Sequence, residues 1–435
     1  MIPDPLPIDV LVGPVDATVA IPGSKSITNR ALVCAALAPG ASTLDGVLFA
    51  DDTEAMLECL TRLGAVIATD RGAATARIDG LAGRLRPGPI VLDARLSGTT
   101  ARFVLPVLGI GPGPYVLDGR PPLRARPMGD GVAMLRALDV EVEDLEEPGH
   151  LPLRVRGARS VGGGIAVPGE VSSQFLSGLL LAAPCYARAH TIGVDGPLVS
   201  SSYVAMTIAV MRAFGAEVVP DPTRPNTYAV PATGYRPTDY RIEPDASAAS
   251  YFFAAAAITG GRVRIEGLGA GSLQGDVAFV DVLAQMGAEV ERGSDFIEVR
   301  GTGRLHGLER VDMGDLSDTA QTLAAVAVFA EGPTEVTGIG FIRRKETDRI
   351  AAVVTELQRC GIEATETDDG FRIEPGWPQP AVIQTYDDHR MAMSFALLGL
   401  KAEGIRIADP GCVAKTFPGF WDALDQLRSP GTAGD

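Results

Sequence analysis

An α/β fold assembled from six copies of one unit is what this 435-residue sequence predicts. Two interleaved series of helices and the constancy of their spacing carry that expectation. In the first series, a helix rich in small residues runs into a Gly-containing turn and a β-branched strand. Its copies open near Asn29, Thr99, Ser173, Ala248, Asp318 and His389, 70 to 75 residues apart. In the second series, a helix ends in a tight turn before a strand. Those turns fall at Gly64, Asp139, Gly215, Gly287 and Gly361, 72 to 76 residues apart. A period above about 50 residues marks repeated subdomains rather than the turns of a solenoid.

In chain order, IDVLVGPVDATVAI (residues 8–21) reads as a first strand. NRALVCAALAPGASTLDGV then gives helix and strand, and EAMLECLTRLGAVI a second helix and strand. The same alternation recurs in TTARFVLPVLGIGPGPYVLDG with GVAMLRALDVEVE, and in SQFLSGLLLAAPCYARAHTIGVDG with YVAMTIAVMRAFGAEVV, with Gly162-Gly163-Gly164 leading into a strand. It returns in AASYFFAAAAITGGRVRIEGL with VAFVDVLAQMGAEV, in DTAQTLAAVAVFAEGPTEVTGI with AAVVTELQRCGIEA, and in HRMAMSFALLGLKAEGIRIADPG. Each unit therefore reads strand, helix, strand, helix, then strands. Six units divide into two domains of three. The Pro-containing segments Ile21-Pro22-Gly23 and Tyr240 to Asp245 mark two crossings. The expected division puts residues 1–22 with 243–435 in one domain, which takes the first strand, and 23–242 in an inserted one. Two adjacent strands would join them, a hinge suited to closing over a ligand.

Composition narrows the function. With 46% hydrophobic and 21% charged residues the chain is that of an ordinary globular protein. A net charge of −16 argues against nucleic acid or an anionic membrane as partner, yet leaves room for anionic small molecules in a cleft lined by Lys and Arg. The five cysteines are scattered without metal-ligand spacing and read as free thiols of a reducing compartment. Neither a signal peptide nor an apolar run of about 18 residues is evident, so a cytoplasmic protein is expected, with no membrane association. The four histidines show no paired ligand spacing, and no metal is expected.

The chemistry lies at helix starts. A helix N-terminus offers unpaired N–H groups and a positive partial charge, a ready site for anions. Lys25, Ser26 and Arg30 surround the first start, Ser97 to Arg102 the second, and Ser172, Ser173 and Gln174 the third. Asp318 stands at the fifth and Asp388, His389 and Arg390 at the sixth, with Asp388 a good cap. The interleaved helices add Arg124 and Arg126, Ser200 to Tyr203, the stretch Arg343 to Arg349, and Lys415. Lys345 and Arg349, four residues apart, are expected on one helical face. Pro22-Gly23-Ser24-Lys25-Ser26 resembles a phosphate loop but lacks GxxxxGK[ST], and no GxGxxG stands at a strand–helix junction, so neither a P-loop nor a dinucleotide site is expected.

The blocks PGSKSITNRAL, SGTTARF, RARPMG, SSQFLSGLL, DASAASYFFAAAAI, RRKETDRI, DDHRMAMSF and AKTFPGF occur in one order over nearly the whole chain, which thereby resembles the 5-enolpyruvylshikimate-3-phosphate synthase family of enolpyruvyl transferases. The resemblance implies two similar domains, each of three βαβαββ units in an inside-out α/β barrel, with the active site in the interdomain cleft. It implies transfer of the enolpyruvyl group of phosphoenolpyruvate to shikimate 3-phosphate, with no cofactor, by a monomer. Carried over residue by residue, Lys25, Ser26, Arg30, Ser172, Ser173, Gln174, Ser200 and Tyr203 would hold shikimate 3-phosphate, with Asp318 and Lys345 at the reacting hydroxyl. Lys25, Gly98, Arg126, Gln174, Arg349, Arg390 and Lys415 would hold phosphoenolpyruvate. Asp318, Lys345 and Glu346, with Lys25, would be catalytic. An open Gly98 would leave room for competitors like glyphosate. Two positions depart from the family pattern: Leu96 and Phe341 stand where Asn is usual, the second being a contact to the substrate phosphate.

Three alternatives were set against this expectation. A UDP-N-acetylglucosamine enolpyruvyl transferase would carry Lys-Asn at the first helix and a Cys in the loop before Arg126; here stand Lys25-Ser26 and no Cys. A non-catalytic anion-binding protein of the same fold would have no need of Asp318 and Glu346. An RNA-processing cyclase of similar units conflicts with the acidic balance.

Overall fold

In the computed structural model the described residues are 2–157, 163–168, 173–196, 198 and 200–428. Ser172 lies outside them. The chain forms two compact units, Gly23–Glu243 and Met1–Pro22 with Pro244–Asp435. Glu243 groups with the first of these, where its carbonyl accepts from the Ser24 amide at 2.8 Å.

Within Gly23–Glu243, three four-stranded sheets repeat one pattern: a parallel pair continued by two antiparallel strands. In the second of them Ile90–Asp93 runs parallel to Tyr115–Asp118, which pairs antiparallel with Leu153–Arg156, and that with Glu141–Asp144. Gly163–Pro168 opens the third sheet beside His190–Asp195. The other unit has sheets of four, four and three strands. Mixed α/β structure with six separate sheets is thus present, and no sheet closes on itself among the described residues.

The expected first strand, 8–21, does not form as one piece. Leu6–Pro7 pairs antiparallel with Ile405–Ile407, while Asp16–Thr18 runs parallel to Arg262–Glu266 in another sheet. Between them Gly13 takes φ of +92° and Pro14 has no N–H, so the ladder cannot continue. Asp16–Thr18 precedes the helix Lys25–Leu37, yet belongs to the unit of Pro244–Asp435. Tyr240–Arg241 precedes the helix Ala246–Thr259, yet pairs with Leu44 and Asp45 of Gly23–Glu243.

In each unit the first-series helices are buried nearly all round, as a helix apolar on every face must be. In one they are Ala246–Thr259, Ala320–Ala327 and His389–Gly399. Ser250 Oγ lies 3.2 Å from Thr322 Oγ1, which lies 3.3 Å from Ser394 Oγ. These three hydroxyls stand 72 residues apart in sequence, one per copy, so they register the helices with short polar side chains that satisfy one another. In the other unit the helices are Lys25–Leu37, Gly98–Leu108 and Ser173–Ala182. Small residues here are a steric requirement: a Cβ on Gly178 would strike the Arg102 backbone carbonyl. Gly178→Ala is therefore expected to lower stability by about 1–3 kcal/mol in denaturant unfolding, because backbone cannot yield as a side chain could.

Candidate active site

In the unit Gly23–Glu243 the first candidate cation is placed by a helix start. Ser24 caps the Lys25 helix by accepting from the Ile27 amide, and Lys25, the first helical residue, lies 3.5 Å from Asp52. Asp52 begins the neighbouring helix Asp51–Arg62 and is itself buried, so it steers Lys25. Sequence reasoning missed Asp52; an acid in the first turn of a helix reads as a macrodipole group.

Arg30 is fully enclosed. Its Nε donates to Thr207 Oγ1 at 2.7 Å, and its other nitrogens donate to the carbonyls of Ser26 (2.8 Å) and Tyr203 (3.2 Å) and to Ser177 Oγ (3.4 Å). The guanidinium also lies over the rings of Phe103 and Tyr203. Burial lowers its pKa to about 10, with Tyr203 pulling the other way. Arg30 thus braces the Lys25 helix against Ser173–Ala182 and Ser201–Ala213, and holds Ser26 and Tyr203 in place through their carbonyls. Ser200 sits at the cap of the latter helix in a left-handed conformation, φ +54°, which a non-glycine residue adopts at a cost.

Gln174 follows Ser173 in the first turn of its helix, and its Oε1 accepts from Arg102 at 2.7 Å. Arg102 lies over Phe175 and meets Arg126 across Gly98, where an added Cβ would come 2.8 Å from Arg126 and 2.9 Å from Arg102. Gly98 therefore brings two guanidinium groups to one helix start. Arg102 was recognised near that start but not assigned a role; its link to Gln174 spans 72 residues and has no local signature.

The unit Pro244–Asp435 holds a connected charge network. Asp318 accepts from Arg390 at 2.7 Å and Arg349 at 3.1 Å, with Lys345 Nζ at 4.0 Å. Glu346 accepts from Arg349 at 2.9 Å and faces Lys415 Nζ at 3.6 Å. Arg349, 1% exposed, also grips Asp388 with Nε at 2.7 Å. Asp388 caps its own helix through the Arg390 amide at 2.9 Å and is completely buried. Four cations (Lys345, Arg349, Arg390, Lys415) thus meet three carboxylates (Asp318, Glu346, Asp388) in one network. Burial opposes the charged form of Arg349, but Asp388, Glu346 and Asp318 together hold its pKa above the ordinary value. His389 faces Asp388 at 3.7 Å.

Lys345 and Arg349 do not share a helical face. Gly340–Arg344 is a 3₁₀ turn, Lys345 is extended with ψ of −141°, and the helix begins only at Arg349. The reason is Asp348, whose carboxylate caps the amides of Ile350 and Ala351 and starts the helix there. Phe341, at the position where Asn is usual, packs on the core with its ring 5.9 Å from Lys345 Nζ and offers an anion no side-chain donor. Asp318 falls in a 3₁₀ turn, Gly314–Thr319, rather than in the helix that follows.

Asp276 was also missed. It is buried against the start of the Ala246 helix, where its carboxyl meets Ser247 Oγ, and Gln274 beside it accepts from the Ala246 amide at 3.0 Å. Burial first, then the negative charge of Asp318, push Asp276 up to about 7, against the pull of Ser247 and Arg390. Among the described residues no group of His, Cys, Asp and Glu is arranged to hold a metal ion. None of their helices is long and apolar enough to cross a membrane.

Comparison with known proteins adds relatives. Residues 11–424 match the family model described as EPSP synthase (3-phosphoshikimate 1-carboxyvinyltransferase). A protein named 3-phosphoshikimate 1-carboxyvinyltransferase from Trichormus variabilis is 47% identical, the match covering 96% of this chain and 98% of that one. Among solved structures, an EPSP synthase from Acinetobacter baumannii superposes with a TM-score of 0.81 at 27% identity over 97% of both chains. The enolpyruvyl transferase NikO from Streptomyces tendae shares the fold, with a TM-score of 0.76 at 19% identity over 95% of both.

The state of Asp276 has a consequence for stability. The native chain keeps a proton there that the unfolded chain sheds near pH 4, so the stabilisation is complete below that pH and is lost as pH rises towards 7. Asp276→Asn is expected to melt above the wild type by a margin that widens between about pH 4 and 7 and then levels, reaching roughly 1–4 kcal/mol. A margin independent of pH would show that the native carboxyl is ionised throughout.

Proposed function

This chain belongs to the EPSP synthase family, the 3-phosphoshikimate 1-carboxyvinyltransferases, and we infer that it transfers the enolpyruvyl group of phosphoenolpyruvate to the 5-hydroxyl of shikimate 3-phosphate, releasing phosphate. The observation that carries the assignment of roles is the network of Asp318, Lys345, Glu346, Arg349, Arg390 and Lys415, in which acids and cations are joined within one unit. We assign Arg349 and Arg390 to the carboxylate of phosphoenolpyruvate, which planar guanidinium groups grip in pairs. Lys25, Arg126 and Lys415 neutralise its phosphate, with Gly98 leaving room and Gln174 alongside. Ser26, Ser172, Ser173, Gln174, Ser200 and Tyr203 surround shikimate 3-phosphate, and Arg30 holds that shell in shape from beneath.

The network suggests how binding sets up the chemistry. Before substrates arrive, Glu346 is engaged by Arg349 and Lys415, and Asp318 by Arg349, Arg390 and Lys345. An incoming carboxylate and phosphate compete for those same cations. As Arg349 and Lys415 turn to the substrate, Glu346 loses the charges that favour its ionised form and becomes able to hold a proton. As Arg349 and Arg390 turn to the substrate, Asp318 remains beside Lys345.

In the addition step, the oxygen of the 5-hydroxyl bonds to C2 of phosphoenolpyruvate and its proton passes to the Asp318–Lys345 pair. Glu346 gives a proton to the methylene carbon C3, which becomes a methyl group. In the elimination step, the methyl group returns a proton to Glu346, the bond from C2 to the phosphate oxygen breaks, and phosphate leaves with a proton from the Asp318–Lys345 pair. No electrons leave the two substrates, so the reaction as written calls on no redox cofactor. We place this chemistry in the cytoplasm, in a monomeric enzyme, with which five free thiols agree.

Incubation with both substrates should release phosphate, and neither substrate alone should do so. Glu346→Gln should cut turnover by about 10²–10⁴, while calorimetry finds shikimate 3-phosphate binding within about twofold of wild type. Near-normal turnover would remove Glu346 from the proton-transfer steps.

A further inference from the structure

The helix that Arg349 begins carries a second buried carboxylate. Glu356 lies seven residues after Arg349 on the helix Arg349–Arg359, so the two residues project from one face. It is completely buried, unusual for a glutamate on a helix of this amphipathic kind. Its own helix and the loop after Ala381–Ile383 converge on it. Its Oε2 accepts from Arg359 Nε at 2.8 Å and from the Gln384 amide at 2.9 Å. Its Oε1 accepts from the Tyr386 hydroxyl at 2.6 Å and from a terminal nitrogen of Arg359 at 3.3 Å.

The loop it holds is strained. Between the strand Ala381–Ile383 and the helix His389–Gly399, Tyr386 and Asp387 have φ of +55° and +58°. Two successive non-glycine residues in the left-handed region persist only where the surroundings over-determine them. The next residue is Asp388, which grips Arg349 and caps the amide of Arg390. Tyr386 leaves part of its ring in solvent, yet its hydroxyl reaches the buried carboxylate. A surface pairing between Glu356 and Arg359 accounts for neither the complete burial nor the bonds to Gln384 and Tyr386.

We propose that Glu356 is a positioning residue, which through Tyr386 and the Gln384 amide clamps the strained loop so that Asp388 and Arg390 meet Arg349 in register. The proposal rests on the assignment of Arg349 and Arg390 to phosphoenolpyruvate. Each of the four hydrogen bonds of Glu356 is one the carboxylate accepts. A glutamine there would turn its own donor towards one of those donors.

The test compares wild type, Glu356→Gln, Tyr386→Phe and the double variant in steady-state kinetics, with backbone hydrogen exchange over residues 384–392. Wild-type turnover of the two substrates first establishes the reaction itself; its absence would defeat the functional assignment, and the exchange data would still report on the clamp. Tyr386→Phe loses a single bond and is the variant that keeps the fold. Expected is a rise of about tenfold in KM for phosphoenolpyruvate, a much smaller change in KM for shikimate 3-phosphate, and faster exchange at Asp388 and Arg390 with none in the Ala246 helix. The double variant should be no worse than Glu356→Gln, since Tyr386 acts through its bond to Glu356. Unchanged KM for phosphoenolpyruvate, unchanged exchange over 384–392, or additive effects in the double variant would each overturn the proposal. A purely structural role would lower the melting temperature and leave KM where it was.

Discussion

A guanidinium group shut away from water at Arg349 is the constraint on which the rest of the unit Pro244–Asp435 turns. A buried charge is tolerable only when paired and hydrogen-bonded, and removing one partner of such a pair costs about 3–5 kcal/mol. Asp318, Glu346 and Asp388 supply that pairing from three separate stretches of chain. The fold therefore needs this network for its own integrity before any substrate is present. The same need explains why the carboxylates stand where acid–base chemistry would use them: holding Arg349 and handling protons are two demands met by one arrangement.

The unit Gly23–Glu243 solves the burial of cations in another way. Arg30 is surrounded by hydroxyls, carbonyls and aromatic faces rather than carboxylates, and its pKa falls as burial dictates. Arg102 and Arg126 are drawn together by the missing side chain of Gly98. Around Arg30 the partners are neutral, in a chain whose overall balance is −16. Strongly acidic composition and anion binding are thus compatible, because the field at a site is set by the few groups nearest it.

The repeat explains how such precision is built from ordinary material. The hydroxyls of Ser250, Thr322 and Ser394 occupy one position in three successive copies and register three buried helices on one another. The helix starts in the copies carry different side chains: Asp388 as cap in one, Asp245 in another, a 3₁₀ turn with Asp318 in the third. Asp16–Thr18 and Tyr240–Arg241 each close a sheet of their own unit as a parallel edge strand.

By itself the sequence determined the α/β class, the six copies and the residues that gather at helix starts, because periodic burial and capping are written in short-range patterns. Lys25, Asp318, Glu346, Arg349, Arg390 and Lys415 were visible in this way. Tertiary structure alone decided the rest. Whether the first strand ran on through Gly13-Pro14 depended on which sheets lay to either side, and where the Arg349 helix began depended on Asp348 rather than on charge spacing. Asp52, Arg102, Asp276 and Glu356 were invisible as site residues because each acts on a partner about 27 to 72 residues away, and a carboxylate in a helix looks the same in sequence whether water or a strained loop faces it. Burial and convergence of donors are properties of packing, and no local pattern encodes them.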